Sequence, residues 1–150
     1  MALSGAARGK KGSTLMVVVE AHGWPIGSGV FSANHHEAGI AEDTLKSMRL
    51  LPKPKNLLGD TAYSSQPLTK RLFNKYHLYL TAPPKRHYVH FFHDGRRLRR
   101  KKRRWKIERS FAWLKNFRRL EIRWERKMEN YLGFVELACS MILIKQALYG

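Results

Sequence analysis

Residues 14–33 read TLMVVVEAHGWPIGSGVFSA. The first part, Thr14 to Glu20, is β-branched and apolar, the composition of a strand. Ala21 to Pro25 (AHGWP) is turn chemistry, and Ile26 to Ala33 is a second strand, so the stretch predicts a hairpin. Leu15 to Val19 is apolar without alternation. Such a run predicts a strand covered on both faces. Working outward, Asn34 is placed to cap a helix over HHEAGIAEDTLKSMRLL, with Ile40, Leu45 and Met48 on one face and Pro52 and Pro54 closing it. Asn56 to Asp60 (NLLGD) predicts a short strand and Thr61 to Ser65 a turn. QPLTKRLFNKYH predicts a helix that tolerates Pro67 in its first turn, and Leu78 to Ala82 predicts another strand. A long helix is expected from about Leu98, with Ile107, Phe111, Leu114 and Phe117 as its apolar stripe. A last helix is expected from about Asn130 to Tyr149. The alternation predicts an α/β fold. Residues 1–13, small and basic with no pattern, read as a flexible lead-in to one domain over 14–150.

The chain has 150 residues, 43% of them hydrophobic, enough for one core. Four Trp, seven Phe and six Tyr argue against disorder. The single cysteine, Cys139, excludes a disulfide scaffold and reads as an apolar filler. The longest apolar stretch, Tyr131 to Ile144, is interrupted by Glu136 and Ser140 and reads as too short to span a bilayer. Together these features predict a soluble, cytoplasmic protein.

Charge is the strongest signal. Twenty-nine Lys and Arg stand against eleven acids, a net +18. Arg96 to Arg104 (RRLRRKKRR) holds eight basic residues in nine, and Arg96 to Lys127 holds sixteen Lys or Arg against three acids. Such a cluster repels itself unless a polyanion neutralises it, and a nucleic-acid backbone is the obvious one. The plainer alternative is a solvated basic surface without a specific partner. The basic residues singled out for DNA contact are Arg99, Arg100, Lys101, Lys102, Arg103, Arg104, Lys115, Arg118 and Arg119. The spaced histidines of HYVHFFH (His87, His90, His93) read as further attraction for phosphate before a metal site. Among the aromatics, Trp105 is the candidate for touching a base.

With few acids, their positions count. Asp60 falls at a strand's carboxyl end, where α/β sheets gather ligands. Glu108 lies between Ile107 and Phe111 in an arginine-rich helix. Read alone, it is first an ion-pair partner for Arg104 or Arg109. Together Asp60 and Glu108 are a candidate pair for a divalent cation in phosphodiester chemistry.

Two segments resemble a known family. KNLLGDTAYSSQPL resembles the second-aspartate segment of the DDE transposases of bacterial insertion sequences, and RRWKIERSFAWLKNFRRLEIRWER resembles their glutamate segment. Arg104, Glu108 and Lys115 match its Arg, Glu and Lys, while the family's Tyr falls on Lys101, a departure. The resemblance runs from about Lys10 onward. It implies a ribonuclease H-like fold with Asp60 and Glu108 as catalytic, Mg²⁺-binding (or Mn²⁺-binding) carboxylates. Arg104 and Lys115 would hold phosphates, and double-stranded DNA, as transposon end and target, would be the partner. It also implies a third carboxylate on an opening strand. MALSGAARGKKGS carries no acid, and Glu20, Glu37 and Asp43 are poor substitutes. The expectation is therefore an N-terminally truncated domain that lacks its first strand, exposes a sheet edge and is inactive alone. The alternative is a non-catalytic DNA-binding product that pairs with full-length transposase, or with itself, and inhibits it.

Overall fold

The computed structural model describes residues 2–4, 12–35, 37–48, 54–83 and 105–149. Its elements are β1 (Ala2–Ser4), β2 (Ser13–Val19), β3 (Pro25–Ser32), α1 (Glu37–Lys46), β4 (Asn56–Leu58), a 3₁₀ turn (Thr61–Tyr63), α2 (Gln66–Tyr76), β5 (Tyr79–Thr81), α3 (Trp105–Lys115), α4 (Arg118–Glu121) and α5 (Met128–Tyr149). This is the mixed α/β architecture expected.

The five strands form one sheet in the order β3-β2-β1-β4-β5. β2 and β3 make the expected antiparallel hairpin, with Ser13 opposite Ser32 and Val18 opposite Gly27. β1 pairs antiparallel with β2 (Ala2 opposite Val19, Ser4 opposite Val17) and parallel with β4 (Ala2 opposite Leu58). β4 and β5 are parallel, joined by the 3₁₀ turn and α2.

The unbroken apolar run in β2 is explained by two cores, one per face. Val17 and Val19 enter a cluster with Ile107, Leu114, Leu120, Tyr131, Val135 and Ile142, contributed by α3, α4 and α5. Met16 and Val18 enter the other with Ile40, Leu45, Leu57, Leu68 and Leu72, built on α1 and α2. Period-two alternation sends neighbouring side chains to opposite faces. The expected stripe of α3 is in place: Ile107 and Leu114 are buried, and Phe111 and Phe117 pack against them. Cys139 is buried in α5, and burial pushes its thiol up to about 12.

Two expectations about the N-terminus are corrected. An opening strand is present, within the stretch read as a lead-in, and it takes the central place in the sheet. Among the described residues the edges are β3 and β5, so the place of the opening strand is filled. Three residues (ALS) carry no period to read, and β1 is specified by the strands on either side of it. The first long helix starts at Glu37, three residues after Asn34. The expected stretch 98–104 of the long helix lies outside the described residues. α4 was not foreseen: four residues are too few to show a helical period. α5 is longer than expected. With 22 residues and a mean hydropathy of 1.4, it is long and apolar enough to cross a bilayer by length and composition. One of its faces is nonetheless packed into the first core.

Candidate active site

Asp60 stands just past the carboxyl end of β4. Its backbone is extended (φ −77°, ψ 175°), and the Gly59 N–H still bonds Thr81 O at 3.0 Å. Oδ1 accepts from the Thr61 backbone N–H at 2.5 Å and from the Thr61 hydroxyl at 2.9 Å, which caps the 3₁₀ turn. The preceding glycine is a steric need. A Cβ on Gly59 would stand 2.9 Å from Tyr63 Cβ, and the Tyr63 ring is wholly buried. The segment LLGDTAY is thus a strand end folded tightly over a buried tyrosine, leaving the aspartate partly exposed.

Register fixes where Asp60 lies. Leu57 belongs to the α1/α2 core and Leu58 packs against the other, so alternation puts position 60 on the sheet face covered by α3 and α5. Leu58 is level with Ala2 and Val19. Position 60 is therefore level with Ser4 and Val17, two residues from the turn end of β2.

α3 is fastened to that turn by three residues. Lys106 Nζ donates to Ala21 O, Arg109 Nη2 to His22 O, and the buried Ser110 hydroxyl to Gly23 O. Gly23 has φ +92°, and a Cβ there would meet Lys106 O at 3.1 Å, so only glycine lets the helix sit this close. The Arg109 guanidinium lies between the Trp105 and Trp113 rings, 4.8 Å from each centroid. Trp105, the candidate for base stacking, is half exposed.

Glu108 is exposed. At about 100° per residue it projects roughly 160° around α3 from Lys106 and Ser110, so away from the turn. Lys115 is two turns further along the same face, about 10.5 Å up the axis. Arg109 is committed to His22 and the tryptophans and does not pair with Glu108. Among the described residues no cation forms an ion pair with Glu108. Arg104, the other alternative, lies outside them, as do Arg99, Arg100, Lys101, Lys102, Arg103 and the histidines of HYVHFFH. Arg118 is exposed on α4. Arg119 is engaged, with Nη1 3.0 Å from Glu125 Oε1 and its guanidinium 5.2 Å from the Phe134 ring centre. Burial works to raise the Glu125 carboxyl, but backbone N–H groups and Arg119 hold it below its usual range.

The other acids have local tasks. Glu20 closes the β2–β3 turn, accepting from His22 N at 2.5 Å and Trp24 N at 3.2 Å. Asp43 pairs with Lys46 at 2.7 Å. Among the described residues no three His, Cys, Asp or Glu gather to hold a metal ion. Asp60 and Glu108 are each carboxylates, the donor type a hard divalent cation takes, and β1 carries no acid.

A family model described as "Transposase DDE domain" matches residues 3–143, from β1 into α5. The chain belongs to this family. A relative of this DDE transposase domain is a Burkholderia cepacia protein named "Putative transposase for insertion sequence element IS402", 29% identical over 143 residues. The match covers 90% of the present chain and 64% of the relative, so the chain spans about two thirds of that protein's length. No solved structure matches.

Reading the sequence missed the fastening of α3. Ser110 carried a signal: it is a small polar residue within the stripe Ile107–Ser110–Leu114, where a buried hydroxyl needs a partner. Gly23 carried another, as a lone glycine between His22 and Trp24 in a turn.

Proposed function

We propose that this domain takes part in DNA transposition as a ribonuclease H-like nuclease unit, with Asp60 and Glu108 as its metal-binding carboxylates. The observation carrying this reading is a shared face: by register Asp60 lies on the side of the sheet covered by α3, the helix that carries Glu108. The strand order, with β2 antiparallel and β4 and β5 parallel to a central β1, supports the ribonuclease H-like reading.

In this proposal Asp60 and Glu108 hold a divalent cation, Mg²⁺ or Mn²⁺, through carboxylate oxygens, and the Thr61 N–H and hydroxyl orient Asp60. When bound, such cations activate the attacking oxygen and stabilise the leaving oxygen of a phosphodiester. Lys115 and Arg118 hold the phosphates beside them, and the net +18 concentrates the DNA. The reaction is hydrolysis at a transposon end followed by attack of the freed 3′-hydroxyl on target DNA. Two carboxylates in place of three leave the charge of the transition state poorly compensated, so turnover by this chain is slow or absent. The acid-free β1 also favours a second reading, a DNA-binding product that regulates an active transposase.

Mn²⁺ titration of the purified chain, followed by electron paramagnetic resonance, tests the site. Saturable binding that weakens at least tenfold in both Asp60→Asn and Glu108→Gln is expected. Equal binding by all three proteins would refute the shared site. Mn²⁺-dependent nicking of plasmid DNA, lost in Glu108→Gln, would select the nuclease. DNA binding without nicking, unaffected by either substitution, would select the regulator.

A further inference from the structure

Residues 122–127, which join α4 to α5, read IRWERK. Ile122 leaves α4 in an extended conformation (φ −121°, ψ 117°), and the side chains after it alternate. Arg123 and Glu125 turn inward. Ile122 and Trp124 face water, 59% and 75% exposed, with Arg126 exposed beside them. Trp124 is the most exposed of the four tryptophans. Among the described residues no other ring and no cation packs against its indole. A large apolar ring held out in water costs solubility and contributes nothing to either core, so its use lies in what it meets.

The segment is fixed from beneath by one side chain. Arg123 Nε donates to Glu125 O at 2.7 Å and Nη2 to Arg126 O at 2.8 Å. Nη1 donates to the Ser13 hydroxyl at the start of β2, and the guanidinium lies 5.8 Å from the Tyr131 ring centre. Arg119 donates to the Glu125 carboxylate at 3.0 Å. The backbone under Trp124 is thus set in advance, which lowers the ordering cost of any binding there. Ser13 stands four positions along β2 from Val17, the level of Asp60. That is about 13 Å in the strand direction, so this loop is a separate place from the carboxylate.

Charge says what the ring meets. Residues 118–127 hold five Lys or Arg and two acids, and one of those acids, Glu125, is taken by Arg119. Among the described residues Arg126 and Lys127 form no ion pair. An open aromatic face among unpaired cations suits a polyanion that carries flat rings, which is a nucleic acid. Bases inside a duplex have both faces covered, so only an unpaired base can stack on the indole. We propose that this loop binds one unpaired base of a DNA strand, the base stacked on Trp124 and its phosphate held by Arg126. The two residues are about 7 Å apart on one side of an extended segment, a span that one nucleotide bridges. The proposal rests on the reading that the chain handles DNA, but it needs neither a metal ion nor Asp60 and Glu108.

Fluorescence anisotropy of the full chain in EDTA, with a thymidine oligomer of about ten nucleotides and an abasic oligomer of equal length and charge, tests this. Wild type should bind the thymidine strand about tenfold or more tightly than the abasic one. Trp124→Ala should lose most of that preference while keeping its affinity for the abasic strand and for a blunt duplex, and Trp124→Phe should recover part of it. Arg126→Gln should weaken both strands alike and flatten their salt dependence. A preference unchanged in Trp124→Ala, or lost in Trp105→Ala instead, would overturn the proposal. If Trp124→Ala fails to fold, irradiation of wild type with a 5-iododeoxyuridine strand decides: the cross-link should fall on Trp124, and one confined to other residues counts against the site. Wild type that sediments with phosphatidylglycerol vesicles through Trp124 and shows no base preference would overturn the choice of partner. Duplex binding without base preference would refute this site and leave the nuclease reading standing. Base preference in a chain with no Mn²⁺ site would do the reverse.

Discussion

Ser110→Ala isolates the link between the β2–β3 turn and the helix that carries Glu108. The Ser110 hydroxyl is fully buried and shares its one proton between two carbonyl oxygens, Gly23 O across the contact and Lys106 O at 2.9 Å on its own helix. Lys106 O has its place in the helical ladder, so the group that loses most is Gly23 O, held by a buried glycine. Leaving a buried acceptor unsatisfied costs about 1–3 kcal/mol. For a domain of this size each kcal/mol is worth roughly 2–4 °C in melting temperature, so Ser110→Ala should melt roughly 2–12 °C below wild type. Ser110→Thr keeps the hydroxyl and should recover most of that loss. Thermal denaturation by circular dichroism and urea midpoints give the two measures. An unchanged midpoint in Ser110→Ala would refute the claim that this hydroxyl fastens α3. A further readout follows from position: if the tie aims Glu108, Mn²⁺ affinity should fall in Ser110→Ala at temperatures where the domain is still fully folded.

Three more outcomes are expected. Gly59→Ala forces a Cβ to within 2.9 Å of Tyr63 Cβ, and overpacking of this kind should destabilise the domain by about 1–3 kcal/mol in urea titrations, an effect absent if the turn simply opens. Ser4→Asp adds a carboxylate at the register level of Asp60 and should tighten Mn²⁺ binding at least tenfold in the resonance titration; no change would place the cation elsewhere. A hydrogen bond from Lys75 at 2.6 Å holds the Glu42 carboxyl below its usual range, against the opposing effect of burial. A depressed carboxylate stabilises the fold above its unfolded value of about 4.3 and loses that contribution as pH falls through the folded value. The stability gap between wild type and Glu42→Gln should therefore be present at pH 6 and close below pH 4.

Much of this fold was legible because its signals are local. The apolar run of β2, the early Pro67 of α2, and the stripe of α3 each announce an element within a few residues. β1 could not be read in that way. Ala2–Ser4 is a strand because β2 and β4 both need a partner between them, a tertiary demand that leaves no period in three residues. The site divides along the same line. Asp60 was visible as an acid at a strand end, and Glu108 as an acid in a basic helix with Lys115 two turns on. The contact of Lys106, Arg109 and Ser110 with residues 21–23 spans more than eighty positions, and sequence spacing holds no trace of it. The exposed apolar side chains of α5 could not be told from its core ones, because an apolar helix reads as core until packing shows which side is left over.

The buried thiol of Cys139 has a practical bearing. With its ionisation pushed up to about 12, only about one molecule in 10⁵ is a thiolate at neutral pH, and the thiolate is the nucleophile. Maleimide reagents should pass it by, so a fluorophore or spin probe can be attached to any single engineered surface cysteine without first removing the native one. The chain is in effect supplied with a silent background for distance measurements.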